Sequence, residues 1–280
     1  MHDRLRHFLL VIEAGTFTAA ARRAHITQPA LSSSIQVLEA EVGARLLHRG
    51  RQGASPTDAG LALLPHARRA LAAVADGRRA VEQVVGLHVG EVRLGAGPTA
   101  CTYLLPPTLA AFRRDHPAVR FFLKEAHSPV VWEGLESGEL DLGIASSASV
   151  PDRPGWWTAE PWRDDELLVV EGPNGTDVDG WISFPVGSSL RALLHEHVPE
   201  ARVVMELQSI AAVKGNVRAG VGRALVPRAA MLRDLADGHL VVAPGYGSLV
   251  RSLVLLHRGV DGLPRATAAL REALLAPAKG

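Results

Sequence analysis

The feature that most constrains the fold is a short alanine-rich helix followed at once by a second helix with a strong start signal. Ala19-Ala20-Ala21 combines high helix propensity with little side-chain bulk, so another helix can pack closely against it. Thr27 can cap the next helix, and Pro29 is tolerated in its first turn because the missing N–H would be unpaired there. This order predicts a helix-turn-helix, the motif that presents its second helix to the major groove of DNA.

Apolar residues at helical spacing place core faces on the helices of this region. A first helix is indicated by residues spaced at i, i+3, i+4 and i+7, namely Leu5, Phe8, Leu9 and Ile12. The helix that Thr27 caps has a core face formed by Leu31, Ile35, Leu38 and Val42. At about 100° per residue, its opposite face consists of Pro29, Ser33 and Gln36, with Ser32 at the edge. These short polar side chains suit base edges and phosphates, although in an isolated helix a solvated surface would be the better explanation.

The segment that follows predicts a tight basic hairpin. Residues 49–57 contain two glycines and a proline, which favour turns, and they carry Arg49 and Arg51. A basic hairpin beside a DNA-reading helix is a wing, which can reach the phosphate backbone or the minor groove. The alternative is an ordinary basic turn on the surface.

Taken together, these residues resemble the winged helix-turn-helix of LysR-type transcriptional regulators. The matching residues run with few gaps over residues 8–60 and include Gly15-Thr16-Phe17-Thr18, residues 26–32, Leu38-Glu39, Gly43, Pro56-Thr57 and Ala59-Gly60. Leu47 stands where phenylalanine is usual, which exchanges one core residue for another. The resemblance implies that the chain binds double-stranded promoter DNA and places these positions at the DNA: Gln28, Pro29, Ser32, Ser33 and Arg51.

A long helix is predicted from a cap at Thr57 to about Val85. Its apolar residues follow a 3-4-3-4 spacing, interrupted once by an arginine: Leu64, Ala67, Leu71, Val74, Arg78, Val81 and Val85. Pro65 removes an intrahelical hydrogen bond and can kink the helix. This seam can pack on the chain's own body or on a second copy. The resemblance favours the second copy, so we expect Leu64, Leu71, Val74 and Val81 to form a dimer interface.

From Gly90 onward, strands and helices alternate, which predicts a mostly parallel sheet covered by helices. We therefore expect an α/β protein overall, with an all-α winged helix-turn-helix over residues 1–58, a linker helix over 59–88 and a larger domain over 89–280. Residues 138–144 and 220–227 resemble the two-lobed effector domain of the same family, which is similar to periplasmic binding proteins. The expected lobes comprise residues 89–160 with 249–280, and residues 161–248.

An effector is expected between these lobes, outside the carboxyl ends of the strands. The hydroxyls and the thiol that the topology brings there are Thr99, Cys101, Thr102, Ser128, Ser146 and Ser209. Helix N-termini at this edge favour an anion such as a carboxylate. For each hydroxyl the alternative is a plain helix cap. Arg191 can pair with an anionic effector or lie on the surface, and Cys101 can have its thiol pKa lowered by a helix N-terminus.

The distribution of charge along the chain also favours DNA binding by the N-terminal region. Residues 1–88 carry 11 Lys and Arg against 7 Asp and Glu, whereas the remainder carries 19 against 22, so the excess of positive charge lies beside the predicted DNA-binding helix. We expect a homodimer or a homotetramer on a partly palindromic promoter site, with contact to RNA polymerase. A single cysteine excludes an internal disulfide. No apolar run reaches the length of a membrane span. We therefore expect a cytoplasmic protein, and we expect no cofactor.

Two other functions compete with this hypothesis. Residues 95–100 partly match a dinucleotide-binding loop, which would indicate an NAD(P)-dependent oxidoreductase. Pro98 removes an N–H from that loop, and the acidic candidate Glu125 lies later than the expected spacing of about 20 residues. His195 and His197 are two residues apart and point away from each other on a helix, so they do not indicate a metal site. The second alternative is a DNA-binding protein that responds to no ligand.

Overall fold

The computed structural model describes residues 1–50, 53–84, 90–150, 157–175, 179–260 and 262–276. The chain forms two compact units, residues 1–87 with 136–139 and residues 88–135 with 140–280, and each is described by itself. No helix in the described ranges is both long and apolar enough to span a membrane. The first unit contains α1 (His2–Ala14), α2 (Phe17–Arg23), α3 (Gln28–Val42), β1 (Leu47–Gly50), β2 (Gly53–Pro56) and α4 (Asp58–Val84).

The first three helices enclose one apolar core, as the sequence predicts. Phe8, Leu31, Ile35 and Leu38 are fully buried in it. The core face of α1 is centred on Leu5, Phe8 and Val11 rather than on Leu9 and Ile12, which are only half-buried. Val42 does not belong to the core face of α3, because it lies in the last turn and is 40% exposed.

The predicted helix boundaries are confirmed by their caps. The Thr16 hydroxyl accepts a hydrogen bond from the Ala19 N–H at 3.2 Å, and the Thr27 hydroxyl accepts one from the Ala30 N–H at 3.4 Å. Gly43 ends α3 in the left-handed region at φ 72°, where a side chain would be strained. The turn between α2 and α3 is therefore fixed on both sides by local hydrogen bonds.

The predicted wing is confirmed as an antiparallel hairpin of β1 and β2. Its second strand is tied to the end of α1, because the Ala54 N–H donates to the Gly15 carbonyl at 2.7 Å. A Cβ on Gly53 would lie 2.4 Å from that same carbonyl oxygen, and a Cβ on Gly60 would lie 2.1 Å from the Leu46 oxygen. Both glycines permit backbone contacts that hold the wing between α1 and α4.

The larger unit follows the predicted strand–helix alternation. Its elements are β3 (Glu91–Ala96), α5 (Pro106–Asp115), β4 (Arg120–Glu125), α6 (Ser128–Ser137), β5 (Leu142–Ser146), β6 (Thr158–Glu171), β7 (Trp181–Ser183), α7 (Ser189–His197), β8 (Val203–Glu206), α8 (Ile210–Arg218), β9 (Ala224–Pro227), α9 (Arg228–Ala236), β10 (Val241–Val242), β11 (Leu249–His257) and α10 (Arg265–Leu275). A π-helical turn, Ala100–Leu104, precedes α5, which begins at the proline pair.

The principal sheet has the order β10-β6-β11-β5-β3-β4, with β9 also paired to β6. The β3 strand pairs in parallel with β4 and β5, as the βαβαβ pattern predicts. We call β3–β5 with α5, α6 and α10 lobe I, and β7–β10 with α7–α9 lobe II. The long strands β6 and β11 run antiparallel and connect the two lobes. Separate apolar cores fill lobe I and lobe II.

Candidate DNA-reading face and effector cleft

The polar face of α3 is open to solvent. Gln28, Pro29, Ser33 and Gln36 are exposed, and Ser32 is half-buried at the edge of this face. The opposite side of the same helix is anchored in the core by Leu31, Ile35 and Leu38, none of which has any exposed surface. The helix is therefore held firmly while five of its polar or small side chains remain available.

Arg49 of the wing is positioned against this face. Its Nη1 donates to the Ser32 hydroxyl at 2.8 Å, and its guanidinium lies 4.7 Å from the ring centroid of Phe17. The Nη2 atom is 3.8 Å from a carboxylate oxygen of Glu39. Since the side chain is still 39% exposed, a positive charge is fixed beside α3 within reach of an approaching phosphate. Arg51 lies outside the described residues.

Glu39 joins the wing to α3. One of its carboxylate oxygens accepts hydrogen bonds from the Leu46 N–H at 2.9 Å and from the Leu47 N–H at 3.2 Å. These two donors lie at the start of the wing. Glu39 is one of the residues that resemble the LysR-type motif, but its link to the wing was not predicted, because an acidic residue on a helix normally lies in solvent.

The expected seam of α4 divides into two parts. Leu64 and Leu71 are half-buried and pack against the apolar core of their own domain. Val74 and Val81 are 41% and 62% exposed. The first half of the seam therefore packs on the chain's own domain. The second half is exposed, and we still expect it to form a dimer interface.

A cavity of about 60 Å³, open to solvent on one side, lies between lobe I and lobe II. It is lined by Thr99, Ser128 and Ser146, as the sequence predicts. An adjoining cavity is lined by Thr102 and Ser209, both expected at the effector. Ser209 precedes α8, but its side chain makes no capping hydrogen bond to that helix. Five of the six predicted effector residues therefore border this cleft.

Cys101 lines neither of these cavities. Its thiol donates to the Ala96 carbonyl at 3.3 Å, and its side chain packs against the lobe I core. Burial, followed by the nearby charge of Glu125, raises the pKa of the Cys101 thiol to about 12. The nearby helical turn could have lowered the pKa of this thiol, but desolvation of the thiolate outweighs any such effect.

Arg251 of β11 also lines the cleft and was not predicted from the sequence. It is only 8% exposed and pairs with the buried carboxylate of Asp165. An arginine within an apolar strand carries no motif, and only the pairing of β11 with β6 places it opposite Asp165. Arg191, the cation that the sequence did single out, donates instead to a ring nitrogen of His195 at 2.8 Å. Arg191 is not among the residues that border the two cavities.

In the described ranges, no group of three or more His, Cys, Asp or Glu side chains could hold a metal ion.

An exposed helix face with a wing in one unit, and a two-lobed domain with a central cleft in the other, define a ligand-responsive DNA-binding regulator. Comparison with known proteins agrees with this class. Residues 2–61 match the model of the bacterial regulatory helix-turn-helix proteins of the LysR family, and residues 86–278 match the LysR substrate-binding domain.

The chain belongs to the LysR family of transcriptional regulators. It is 30% identical over 280 residues to a probable RuBisCO transcriptional regulator of Nostoc sp., a match that covers 91% of this chain and 81% of that protein. Its fold is similar to that of ArgP from Mycobacterium tuberculosis, with a TM-score of 0.70, 19% identity and coverage of 99% of this chain and 97% of ArgP. It is also similar to full-length CbnR complexed with its target DNA, with a TM-score of 0.62, 24% identity and coverage of 98% of both chains.

Proposed function

We propose that this regulator reads a partly palindromic promoter site with the exposed face of α3, assisted by the wing. The single observation that carries this assignment is the contact between Arg49 and Ser32, which places a fixed cation at the edge of an exposed, short-chained helix face. Short polar side chains permit close approach to base edges, and the cation supplies attraction to the phosphates.

The proposed roles divide between sequence reading and positioning. Ser33 and Gln36 are exposed along the middle of α3 and read base edges. Gln28 and Pro29 approach the DNA at the N-terminus of the helix, and Ser32 shares contact with Arg49. Arg49 and Arg51 contact phosphates or the minor groove. This division predicts that serine and arginine variants fail in different ways.

We further propose that the chain acts as a homodimer or a dimer of dimers. Val74 and Val81 expose apolar surface on α4 after the part of the helix that packs on its own domain. A second copy that covers these residues would present two α3 helices to two half-sites. CbnR, which is similar in fold, has been solved in complex with its target DNA, and this supports the proposal that the present chain binds DNA.

A small molecule bound between the lobes would control this assembly. Such control requires that the molecule bind one arrangement of the dimer more tightly than another, which then alters DNA bending and contact with RNA polymerase. Since the target is chromosomal DNA, we place the protein in the cytoplasm. The residues proposed to contact the effector are Thr99, Ser128 and Ser146, with Thr102 and Ser209 at the adjoining cavity.

Selection of binding sites from randomised DNA tests the reading face. Ser33→Ala should change the preferred bases while overall affinity for nonspecific DNA stays the same. Arg49→Ala should weaken binding to all sequences and reduce the slope of log affinity against log salt by about 0.9. Arg113→Ala provides a matched control, because it removes an exposed arginine from α5 in the other unit. If Ser33→Ala selects the same sites as the parent, α3 does not read bases at that position.

A further inference from the structure

The guanidinium of Arg49 is held by three side chains of the helix-turn-helix. Its central carbon lies 4.7 Å from the ring centroid of Phe17, which is in α2. Its two terminal nitrogens face α3, where Nη1 donates to the Ser32 hydroxyl at 2.8 Å and Nη2 lies 3.8 Å from a carboxylate oxygen of Glu39. Arg49 itself belongs to β1, so its side chain reaches from the wing to both helices.

The position of the Phe17 ring follows from local sequence and from packing. Phe17 is the first residue of α2, directly after Thr16, whose hydroxyl caps the helix by accepting from the Ala19 N–H. The ring is half-buried and packs against the apolar core of its own domain. Core packing restricts the rotamers of an aromatic side chain, so Phe17 offers Arg49 a surface that is already in place.

The contact between the two side chains has the geometry of a cation–π interaction. The face of an aromatic ring is electron-rich, and it attracts a cation that lies within about 6 Å of its centroid. A guanidinium is planar, so it can lie over a ring while its N–H groups donate to other acceptors. Phe17 therefore adds an attraction to Arg49 that the hydroxyl of Ser32 and the carboxylate of Glu39 do not supply.

This attraction bears on DNA binding because Arg49 is 39% exposed. A long exposed side chain occupies many rotamers, and ordering it on binding costs conformational entropy. Apparent affinity falls in proportion to the fraction of molecules that hold the binding-competent conformation. DNA that covers the wing would also exclude water from the contact, and cation–π interactions are stronger when desolvated. Both effects make the affinity for DNA depend on the ring of Phe17.

We propose that Phe17 is a positioning residue for DNA recognition, and that it acts through its cation–π contact with Arg49. In this role Phe17 contacts neither base nor phosphate. It holds the guanidinium beside Ser32, so that the positive charge is in place when α3 meets its site. The inference rests on the proposed reading of DNA by α3 and the wing, and it adds the residue that prepares Arg49 for that contact.

A purely structural role for Phe17 is the competing explanation, since the ring also packs against the core. Fluorination of the ring separates the two explanations. Fluorine atoms withdraw electron density from the ring face and weaken its attraction for a cation, whereas the ring keeps its shape and its apolar character. A packing role should therefore tolerate fluorination, and a cation–π role should not.

The test uses full-length protein with phenylalanine or its mono-, di- or trifluorinated form at position 17. Fluorescence anisotropy measures binding to the DNA site that the parent protein selects from randomised sequences. We expect affinity to fall with each added fluorine, by about two- to fivefold in total, the factor of an exposed cation–π contact. The slope of log affinity against log salt should stay the same, because Arg49 keeps its charge. Equal affinity across the series would overturn the inference.

Two controls identify the partner of the ring. In an Arg49→Ala background the guanidinium is absent, so the fluorinated proteins should bind DNA equally. The same fluorinated residues at Phe8, whose ring is fully buried in the same core, should leave affinity unchanged. If affinity falls with fluorination in the Arg49→Ala background or in the Phe8 series, fluorination acts through packing and Phe17 does not position Arg49.

Ordinary substitutions give an independent comparison. Phe17→Tyr keeps the aromatic face and should bind DNA as the parent does. Phe17→Leu keeps an apolar side chain without a ring, and it should bind about as weakly as the trifluorinated protein. Equal affinity of the parent and a folded Phe17→Leu variant would count against the cation–π contact.

The same measurements separate failure of this inference from failure of the proposed function. A parent protein that selects no DNA site from randomised sequences would contradict the proposed function. A parent that selects a site and loses affinity on Arg49→Ala, but is indifferent to fluorination of Phe17, would keep the proposed function and lose only the role of Phe17.

Discussion

The attachment of the wing to α3 rests on one carboxylate, and removing it should loosen the wing without unfolding the domain core. Glu39→Ala deletes the acceptor of the Leu46 and Leu47 N–H groups. The three-helix core of Phe8, Leu31, Ile35 and Leu38 does not include Glu39 and should persist. The expected consequence is local opening of the wing and weaker binding to operator DNA.

The size of the effect follows from the two hydrogen bonds. Each joins a backbone N–H to a charged acceptor that is only 14% exposed, at 2.9 and 3.2 Å. Such a bond contributes about 1.5 kcal/mol at the lower end of the usual range, so the pair contributes about 3 kcal/mol. The contact with Arg49 at 3.8 Å is half-exposed and adds less than about 1 kcal/mol. At 1.4 kcal/mol per factor of ten, the opening constant of the wing should rise about 150-fold.

Native-state hydrogen exchange of the full-length protein, read by mass spectrometry on peptides that cover the wing, measures this opening. Glu39→Gln retains a neutral oxygen acceptor and should accelerate exchange only about fivefold, corresponding to about 1 kcal/mol. Glu41→Ala is the control, because Glu41 lies on the same helix and forms a surface ion pair with Arg4. If wing amides exchange at the same rate in Glu39→Ala and in Glu41→Ala, the carboxylate does not hold the wing.

Three further predictions concern the other parts of the molecule. Because its pKa is raised from 9.0 to about 12, Cys101 should react with a disulfide reagent at pH 8 about 1000-fold more slowly than an unfolded thiol, and complete reaction on mixing would refute this. The hydrogen bond from Arg271 holds the pKa of Glu160 below its ordinary value, so its ionised form adds stability above the unfolded pKa that is lost as pH falls through the lower folded pKa. Glu160→Gln should therefore flatten the acid side of the melting-temperature profile, and an unchanged slope would contradict the assignment. Val81→Glu should shift the protein toward monomer in light scattering, whereas Leu61→Glu, also exposed on α4, should not; equal behaviour of the two variants would remove Val81 from the interface.

The sequence by itself determined the local elements of the N-terminal unit. Thr16, Thr27 and Gly43 mark helix ends through hydrogen bonds and backbone angles that involve only neighbouring residues, so their effect can be read without knowledge of the fold. The hairpin of the wing and the parallel pairing of β3 with β4 and β5 could also be predicted from the sequence pattern. Helical periodicity also placed Ser33 and Gln36 on the face of α3 that is solvent-exposed in the structure.

Only the tertiary structure decided which side chains meet across long separations in the chain. Arg251 faces Asp165 because two distant strands pair in a particular register, and Glu39 receives the wing because the chain turns back on α3. The local signals at Cys101 and at the seam residue Leu71 fit two environments equally well, and in the structure each side chain packs, partly buried, against the core of its own unit. Local propensity specifies where an element begins and which face is apolar, whereas the partner of a polar group depends on contacts that sequence spacing does not encode.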